Sequence, residues 1–443
     1  MHYIRILRPP SFASSRARGG AQLELLLTIT TDLGESFLCP CEPVSLEAVL
    51  YLHGSADGGI KLPVAEGEKA LLRWTAGNRV LKTKVRLPPQ VSSASQLSQA
   101  IVCVRPLNMD FSVASMTDIL SSSQGLIMPL YVALRLNQPE ETVALRRLRM
   151  PGESAEASPL YVEVEEELGE SIARHVWDAG VYVSALLAKT CCSRPPPSDD
   201  KSHMSALKGI LANKGKLDVL EIGSGVGILG LGFATAVLGN NEFATADGAQ
   251  RPVSILMTDL PEARDRAVAN ISRYDATTAT RRQRQQRLAE DEAAAAAAAE
   301  EEGGGGGIDI LQAAPAVDYE NLDWEDGRRG LFAPKILARA WDLVMLSDCT
   351  YNADMLPALV ETLTEIHSAA SSPAHKHEAT CSGHHHDPRV LLATKPRHDS
   401  EKALFDLMAG AGWAIEEHAG FELHVFDAAS QTIEVYLFRR PRT

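Results

Sequence analysis

The chain has 443 residues, 45% hydrophobic and 23% charged, a balance that fits a globular protein of two or three domains. Its 43 basic residues against 57 acidic ones leave a formal charge of −14, which argues against nucleic-acid binding by bulk electrostatics and suits a basic partner or plain solubility. No apolar run reaches membrane-spanning length, and the seven scattered cysteines form no disulfide framework, so a cytoplasmic protein is expected.

The opening MHYIRILRPPSFASSRARGG has no secretory apolar core and no cleavage site. Its Arg and Ser without acid would suit a mitochondrial leader, but YIRIL reads as a strand. Apolar strand-like runs follow at Leu23–Thr31, Leu46–Leu52, Ala70–Trp74, Val80–Leu87, Ile101–Val104 and Leu130–Leu136, separated by Gly, Pro, Ser and Asn. Residues 1–155 are therefore expected to form a β-rich N-terminal region, which carries no catalytic constellation. Pro151–Pro159 reads as a linker.

From Leu160 the pattern changes. LYVEVEEEL alternates like a strand, a helix is predicted over Trp177–Lys189, and Ser193–Ser202 is a Pro-rich loop. A short helix at Met204–Ala212 leads into a strand, and further strands are predicted at Val253–Met257, Trp341–Leu346 and Val390–Thr394. The third strand falls somewhere in Ile308–Val317. Helices are predicted at Glu262–Arg273, Met355–His367 and Glu401–Ala409, and a closing strand pair at Phe421–Phe426 and Thr432–Phe438. Alternating strands and helices imply an α/β fold over 156–443, a doubly wound Rossmann-like parallel sheet of seven strands ending in an antiparallel hairpin. Thr277–Gly307, with RRQRQQR, AEDEAAAAAAAEEE and GGGGG, is a low-complexity insertion, read as a charged helix with a flexible tail. Ala369–Asp387 holds His375, His377, Cys381, His384, His385 and His386. No pair of these sits on a predicted rigid element, so a solvated loop is favoured over a metal site.

The chemistry concentrates in Leu217–Leu231, LDVLEIGSGVGILGL, which reads as a buried strand, a glycine turn and a helix. Gly225-x-Gly227-x-x-Gly230 fits a dinucleotide fingerprint. The frame from Glu221 to Gly227, E-x-G-x-G-x-G, instead sets a carboxylate beside the glycines. That charge repels a pyrophosphate but suits S-adenosylmethionine (SAM), with its ammonium and sulfonium. A purely structural turn is the third possibility. Asp259 ends the second strand, where an acid accepts ribose hydroxyls in either cofactor class and can also cap the helix that Pro261 opens.

VWDAG at 176–180, LEIGSGVGILGL, TDLPEARDRAVAN at 258–270, LDW at 322–324 and SDCTY at 347–351 occur in one order, with KPR at 395–397 as a weaker marker. In this order residues 160–440 resemble the class I SAM-dependent methyltransferases, and more narrowly the family-16 protein-lysine methyltransferases. MHYIRIL and the β-rich region resemble the fungal branch that methylates elongation factor 2. The resemblance implies that Trp177, Gly223, Ser224, Gly225, Asp259, Trp324 and Ser347 line a SAM site. It also implies that Asp348 and Tyr351, a D-x-x-Y motif, serve catalysis: the carboxylate orients a lysine ammonium and the ring gives a cation–π wall. Other roles are open to these residues, core packing for each Trp and a helix cap before Ala353 for Asp348. Cys349 reads as packing, since no His accompanies it. A protein substrate, elongation factor 2, is expected, with no nucleic acid, no membrane, no metal and a monomeric chain. The other readings are a small-molecule or other N-methyltransferase on this fold and a non-catalytic SAM-fold binding protein.

Overall fold

The computed structural model describes residues 1–14, 21–52, 59–65, 72–89, 91, 97, 100–134, 143–151, 159–167, 171–192, 204–213, 215–239, 251–299, 314–370 and 387–441. Its N-terminal strands are β1 (His2–Ile6), β2 (Ser11–Ser14), β3 (Ala21–Thr31), β4 (Val44–Tyr51), β5 (Ile60–Leu62), β6 (Arg73–Trp74), β7 (Leu81–Arg86), β8 (Ile101–Pro106), β9 (Ile127–Met128), β10 (Leu130–Ala133), β11 (Val143–Arg149) and β12 (Tyr161–Glu167). One sheet runs β2-β3-β1-β9 with β7 against β3, and the other runs β12-β11-β10-β8-β4-β5 with β6 against β4. Alternate residues of β3, Leu23, Leu25, Leu27 and Ile29, point to one face. There they share a core with Leu46, Ala48 and Leu50 of β4 and with Val102 and Val104 of β8.

β12, predicted to open the C-terminal part, pairs along its whole length with β11. It also carries charges that join the two parts. Arg266 reaches Glu165 at 2.6 Å and also binds Glu167. The buried Asn270 side chain accepts from Glu165 N at 2.8 Å and donates to the carbonyls of Glu165 and Val226.

The C-terminal sheet contains β13 (Leu217–Ile222), β14 (Val253–Asp259), β15 (Ala316–Asn321), β16 (Leu343–Ser347), β17 (Arg389–Thr394), β18 (Ala414–Leu423) and β19 (Gln431–Arg439), in the order β15-β14-β13-β16-β17-β19-β18. β13 to β17 pair in parallel, and β19 runs antiparallel to both β17 and β18. All six residues of β13 are buried, as expected of a strand covered on both faces. The chain leaves β13 for β14 on one side and places β16 on the other. The strand order reverses there, the place where open sheets of this kind bind ligands, outside the carboxyl ends of the strands.

Three elements differ from the sequence expectation. The third strand, β15, is seen at Ala316–Asn321, while residues 308–313 of the expected range lie outside the described residues. β18 begins at Ala414, seven residues before Phe421. The helix expected over Glu262–Arg273 runs from Pro261 to Ala299 and takes in most of the low-complexity stretch. RRQRQQRLAEDEAAAAAAA is made of good helix formers with no Gly or Pro, so nothing in it ends the helix. One face of that helix, with Ala263, Ala267, Asn270, Ile271, Tyr274 and Thr278, is buried. Beyond it Arg282, Gln283, Arg284, Gln286 and Arg287 are exposed. Removing residues 283–299 is therefore expected to move the thermal midpoint by less than about 3 °C in calorimetry. Truncation through Tyr274 and Thr278 should lower it well beyond that.

Most of the Pro151–Pro159 linker, the Ser193–Ser202 loop, Glu300–Gly307 and the His-rich stretch lie outside the described residues. Among the described residues no cluster of His, Cys, Asp and Glu could hold a metal ion, and no helix is long and apolar enough to cross a membrane.

Candidate functional site

At the carboxyl end of β13 the backbone turns through Gly223, Gly225 and Gly227, with φ of +67°, +54° and +87°. Glycine tolerates this left-handed region without strain. Space also demands it: a Cβ on Gly223 would stand 2.5 Å from Cys349 Sγ, and one on Gly227 2.3 Å from Met257 Cε. A Cβ on Gly225 would stand 3.1 Å from the Ala173 carbonyl, in the segment leading to Trp177. The turn feeds the Ile228–Leu238 helix, with Gly227 as its N-cap.

Asp259, at the end of β14, ties itself to this turn. Its Oδ2 accepts Gly225 N–H at 2.7 Å and its Oδ1 accepts Leu260 N–H at 2.7 Å. Each oxygen keeps a second lone pair. Burial, with Glu262 adding to it, pushes this carboxyl up to about 6, against the opposing pull of the two N–H donors. The Ser224 side chain is buried, and its hydroxyl has no hydrogen-bond partner among the described residues. Trp324 follows β15 and is half-buried, with its ring edge 3.7 Å from where a Gly223 Cβ would be. Gly223, Ser224, Gly225, Asp259 and Trp324 thus meet at the ends of three adjacent strands.

Glu221 does not stand where its sequence frame suggested. Its side chain turns into the core, 1% exposed, and accepts Gly230 N–H at 3.0 Å. Burial, helped by Asp259, pushes its carboxyl up to about 8, so at neutral pH it is largely protonated and lends no charge to a ligand in the turn. Because the folded value lies above the usual 4.5, this group's stabilisation is complete in acid and is lost as pH rises through about 8. The full loss is on the order of 4–5 kcal/mol. Urea unfolding at pH 6 and pH 9 should show the wild-type chain losing stability across that interval, and Glu221→Gln losing much less.

The second cluster lies at the end of β16. The Ser347 hydroxyl lies 3.1 Å from where a Cβ on Gly180 would be, facing the Asp178–Cys192 helix. Asp348 has φ of +50°, a strained conformation for a non-glycine residue. Its buried carboxylate accepts Ala179 N–H and Lys395 N–H, both at 3.0 Å, and lies 3.7 Å from Arg397 Nη2. It does not cap the turn at Ala353, where Asn352 is the N-cap. Cys349 is buried and donates to main-chain carbonyls, and burial pushes its thiol far above its ordinary value. Thr350 is buried against Thr394 and Glu401. Tyr351 stands at the rim, 51% exposed. Trp177 donates its indole N–H to the Ile172 carbonyl, and the Arg397 guanidinium lies 5.2 Å from the ring centroid, over one face.

The two clusters touch through Cys349, which packs on Gly223, and through the 173–177 segment beside Gly225. Four charged residues here had no role in the sequence reading. Asp178 and the KPR residues Lys395 and Arg397 stood inside motifs without a function, and Asp32 gave no signal, being one acid after a strand far away in sequence.

Residues 157–292 and 307–411 match the model of a family described as lysine methyltransferase. A UPF0665 family protein of Schizosaccharomyces pombe is 21% identical over 411 residues, which cover 92% of this chain and 93% of that one. Among solved structures, a SAM-dependent methyltransferase from Methanosarcina mazei is 9% identical with a TM-score of 0.29, over 55% of this chain and 100% of that one. A precorrin-6y methyltransferase from Geobacter metallireducens is 10% identical with a TM-score of 0.28, over 53% of this chain and 84% of that one. The family match alone spans more than half of the 443 residues, so the chain belongs to the lysine methyltransferase family, with SAM as its cofactor.

Proposed function

We propose that this chain is a SAM-dependent protein-lysine N-methyltransferase of the seven-stranded Rossmann-like type, acting in the cytoplasm on a lysine of elongation factor 2. The observation that carries the reading is the seating of the D-C-T-Y loop directly against the glycine turn, Cys349 on Gly223, with Asp348 held beneath it and Tyr351 open at the rim. The substrate assignment is supported by the MHYIRIL opening and the β-rich region that follows it.

The residues present fit SAM. The glycine turn admits close approach, Asp259 has acceptor capacity that would serve two ribose hydroxyls, Ser224 has a buried hydroxyl unpartnered among the described residues, and Trp324, beside the turn, would offer a flat apolar face to an adenine. When bound, SAM supplies a methyl on a sulfonium, open to in-line displacement by a neutral amine. The chain has to bring a lysine to the rim, align it, and let its proton pass to water. Tyr351, exposed beside the turn, supplies the wall along which the lysine stem lies. The Asp348 carboxylate supplies the negative field that draws the ammonium in, while the neighbouring Arg397 limits how strongly it is held. Weak ground-state binding of the charged amine leaves deprotonation easy, which favours orientation as the main role of Asp348 and proton removal as a lesser one.

Purified elongation factor 2 incubated with the chain and methyl-labelled SAM is expected to take up label on lysine. Label in small molecules or RNA, and none in protein, would overturn the assignment.

A further inference from the structure

β3 runs through the middle of the N-terminal region and ends at Thr31. The next residue, Asp32, stands inside the methyltransferase part with no solvent exposure of its side chain. Its Oδ1 accepts Lys395 Nζ at 2.6 Å and Leu33 N–H at 3.0 Å. Its Oδ2 accepts Arg397 Nη2 at 2.9 Å and Asp178 N–H at 3.2 Å. Burial works to raise this carboxyl, but Lys395 and Arg397 outweigh it and hold Asp32 below the usual carboxylate range. The Asp32 carbonyl accepts Arg5 Nη2 at 2.7 Å, so the residue is also fixed from its own side of the molecule.

The three residues of the methyltransferase part that Asp32 grips all lead to the candidate site. Lys395 gives its ammonium to Asp32 and Asp178 and its main-chain N–H to Asp348. Arg397 gives its guanidinium to Asp32, covers one face of Trp177, and is the cation nearest Asp348. Asp178 N–H, bound by Asp32, and Ala179 N–H, bound by Asp348, are adjacent donors in the first turn of one helix. A buried ion network is a poor way merely to glue two parts together, because desolvation cancels most of its gain and apolar contacts would serve as well. What such a network provides is fixed direction: each fork and carboxylate admits one arrangement.

We propose that Asp32 is a positioning residue of the methyl-transfer site, supplied by the N-terminal region. It locks Arg397 over Trp177 and the Lys395 main chain beneath Asp348, so the D-C-T-Y loop reaches its working geometry only with that region docked. The inference rests on the role given to Asp348 above, and it assigns the β-rich region a part in the chemistry.

Asp32→Asn in the full chain tests it, with hydrogen exchange read on peptides containing Ala179 and Lys395. Those two amides should exchange about 10-fold faster while amides of β13 and β14 keep their protection. In single-turnover assays kcat should fall about 10- to 100-fold, with KM for the protein substrate and Kd for SAM changed less than about 3-fold. If Asp32→Asn does not fold, Arg397→Gln cuts the same link at a loop side chain that is 13% exposed, with the same expected readouts. Where Asp32→Asn does fold, adding it to Arg397→Gln should cost less than about 2-fold more. Unchanged exchange at both amides, or rate losses that simply multiply, would overturn the inference and leave Asp32 as an interface brace. A wild-type chain that methylates no protein would overturn the proposed function instead, and the exchange data would still decide the positioning role.

Discussion

Asp259→Ala is expected to weaken SAM binding, measured by calorimetry, by roughly 1.5–3 kcal/mol, or about 10- to 150-fold in Kd. The substitution removes the acceptor proposed for the ribose and also frees Gly225 N–H, so the glycine turn loses its brace at 2.7 Å. The same carboxyl makes affinity depend on pH. It sits at about 6 because burial and Glu262 raise it while Gly225 and Leu260 donate to it. SAM should therefore bind well at pH 7.5 and progressively less well as pH falls through 6, a trend absent from Asp259→Ala. The stability linkage has the opposite sign. A folded value above the usual 3.8 stabilises the fold in acid, and that contribution is lost as pH rises through about 6. Tight NAD binding in place of SAM would overturn the cofactor.

The sheet was largely legible because its cues are local. β13 is an apolar run broken only by Asp218 and Glu221 that meets glycines, β14 ends in an acid two residues before a proline, and a parallel strand buried on both faces leaves a largely hydrophobic stretch. β15 was misplaced because only one of its six residues, Tyr319, is buried, so it lacks that stretch. The low-complexity stretch was legible as a charged helix, but its continuity with the helix before it was missed, although residues 274–280 carry no Gly or Pro to separate the two. The glycine turn was legible as a strand, a turn and a helix, but the role expected of Glu221 was wrong. Glu221 marks the frame by holding Gly230 N–H from inside the core, and gives the ligand no charge. The network around Asp348 was not readable. It joins Asp32, Asp178, Lys395 and Arg397 across more than 360 positions, and no periodicity or spacing rule spans such a distance.

Asp348→Asn and Tyr351→Phe should separate two contributions to catalysis. The Asp348 carboxylate accepts two main-chain N–H groups, from Ala179 and Lys395, and faces Arg397 at 3.7 Å. An asparagine of the same shape has one oxygen for two donors, so one N–H is left facing an NH2 group. The negative field at the rim vanishes with the charge. Losing one well-placed charge-assisted contact in the transition state costs roughly 2–4 kcal/mol, or about 30- to 1000-fold in rate. SAM affinity should move less than about 3-fold, because Asp259 and the glycine turn make their own contacts independently of this carboxylate. Tyr351→Phe keeps the exposed ring and is expected to lose less than about 10-fold. A pH profile adds an independent readout. Burial holds Asp348 at about 6, with Asp32 pushing it up and Arg397 and the two N–H donors pulling it down. With SAM kept saturating, so that Asp259 does not limit, the wild-type rate should fall as pH drops through 6, and Asp348→Asn should be slow at every pH without that limb. Near-wild-type single-turnover rates for Asp348→Asn would reduce Asp348 to a brace between the Asp178–Cys192 helix and the Lys395 loop, and catalysis would then rest on alignment by Tyr351 and the rim alone.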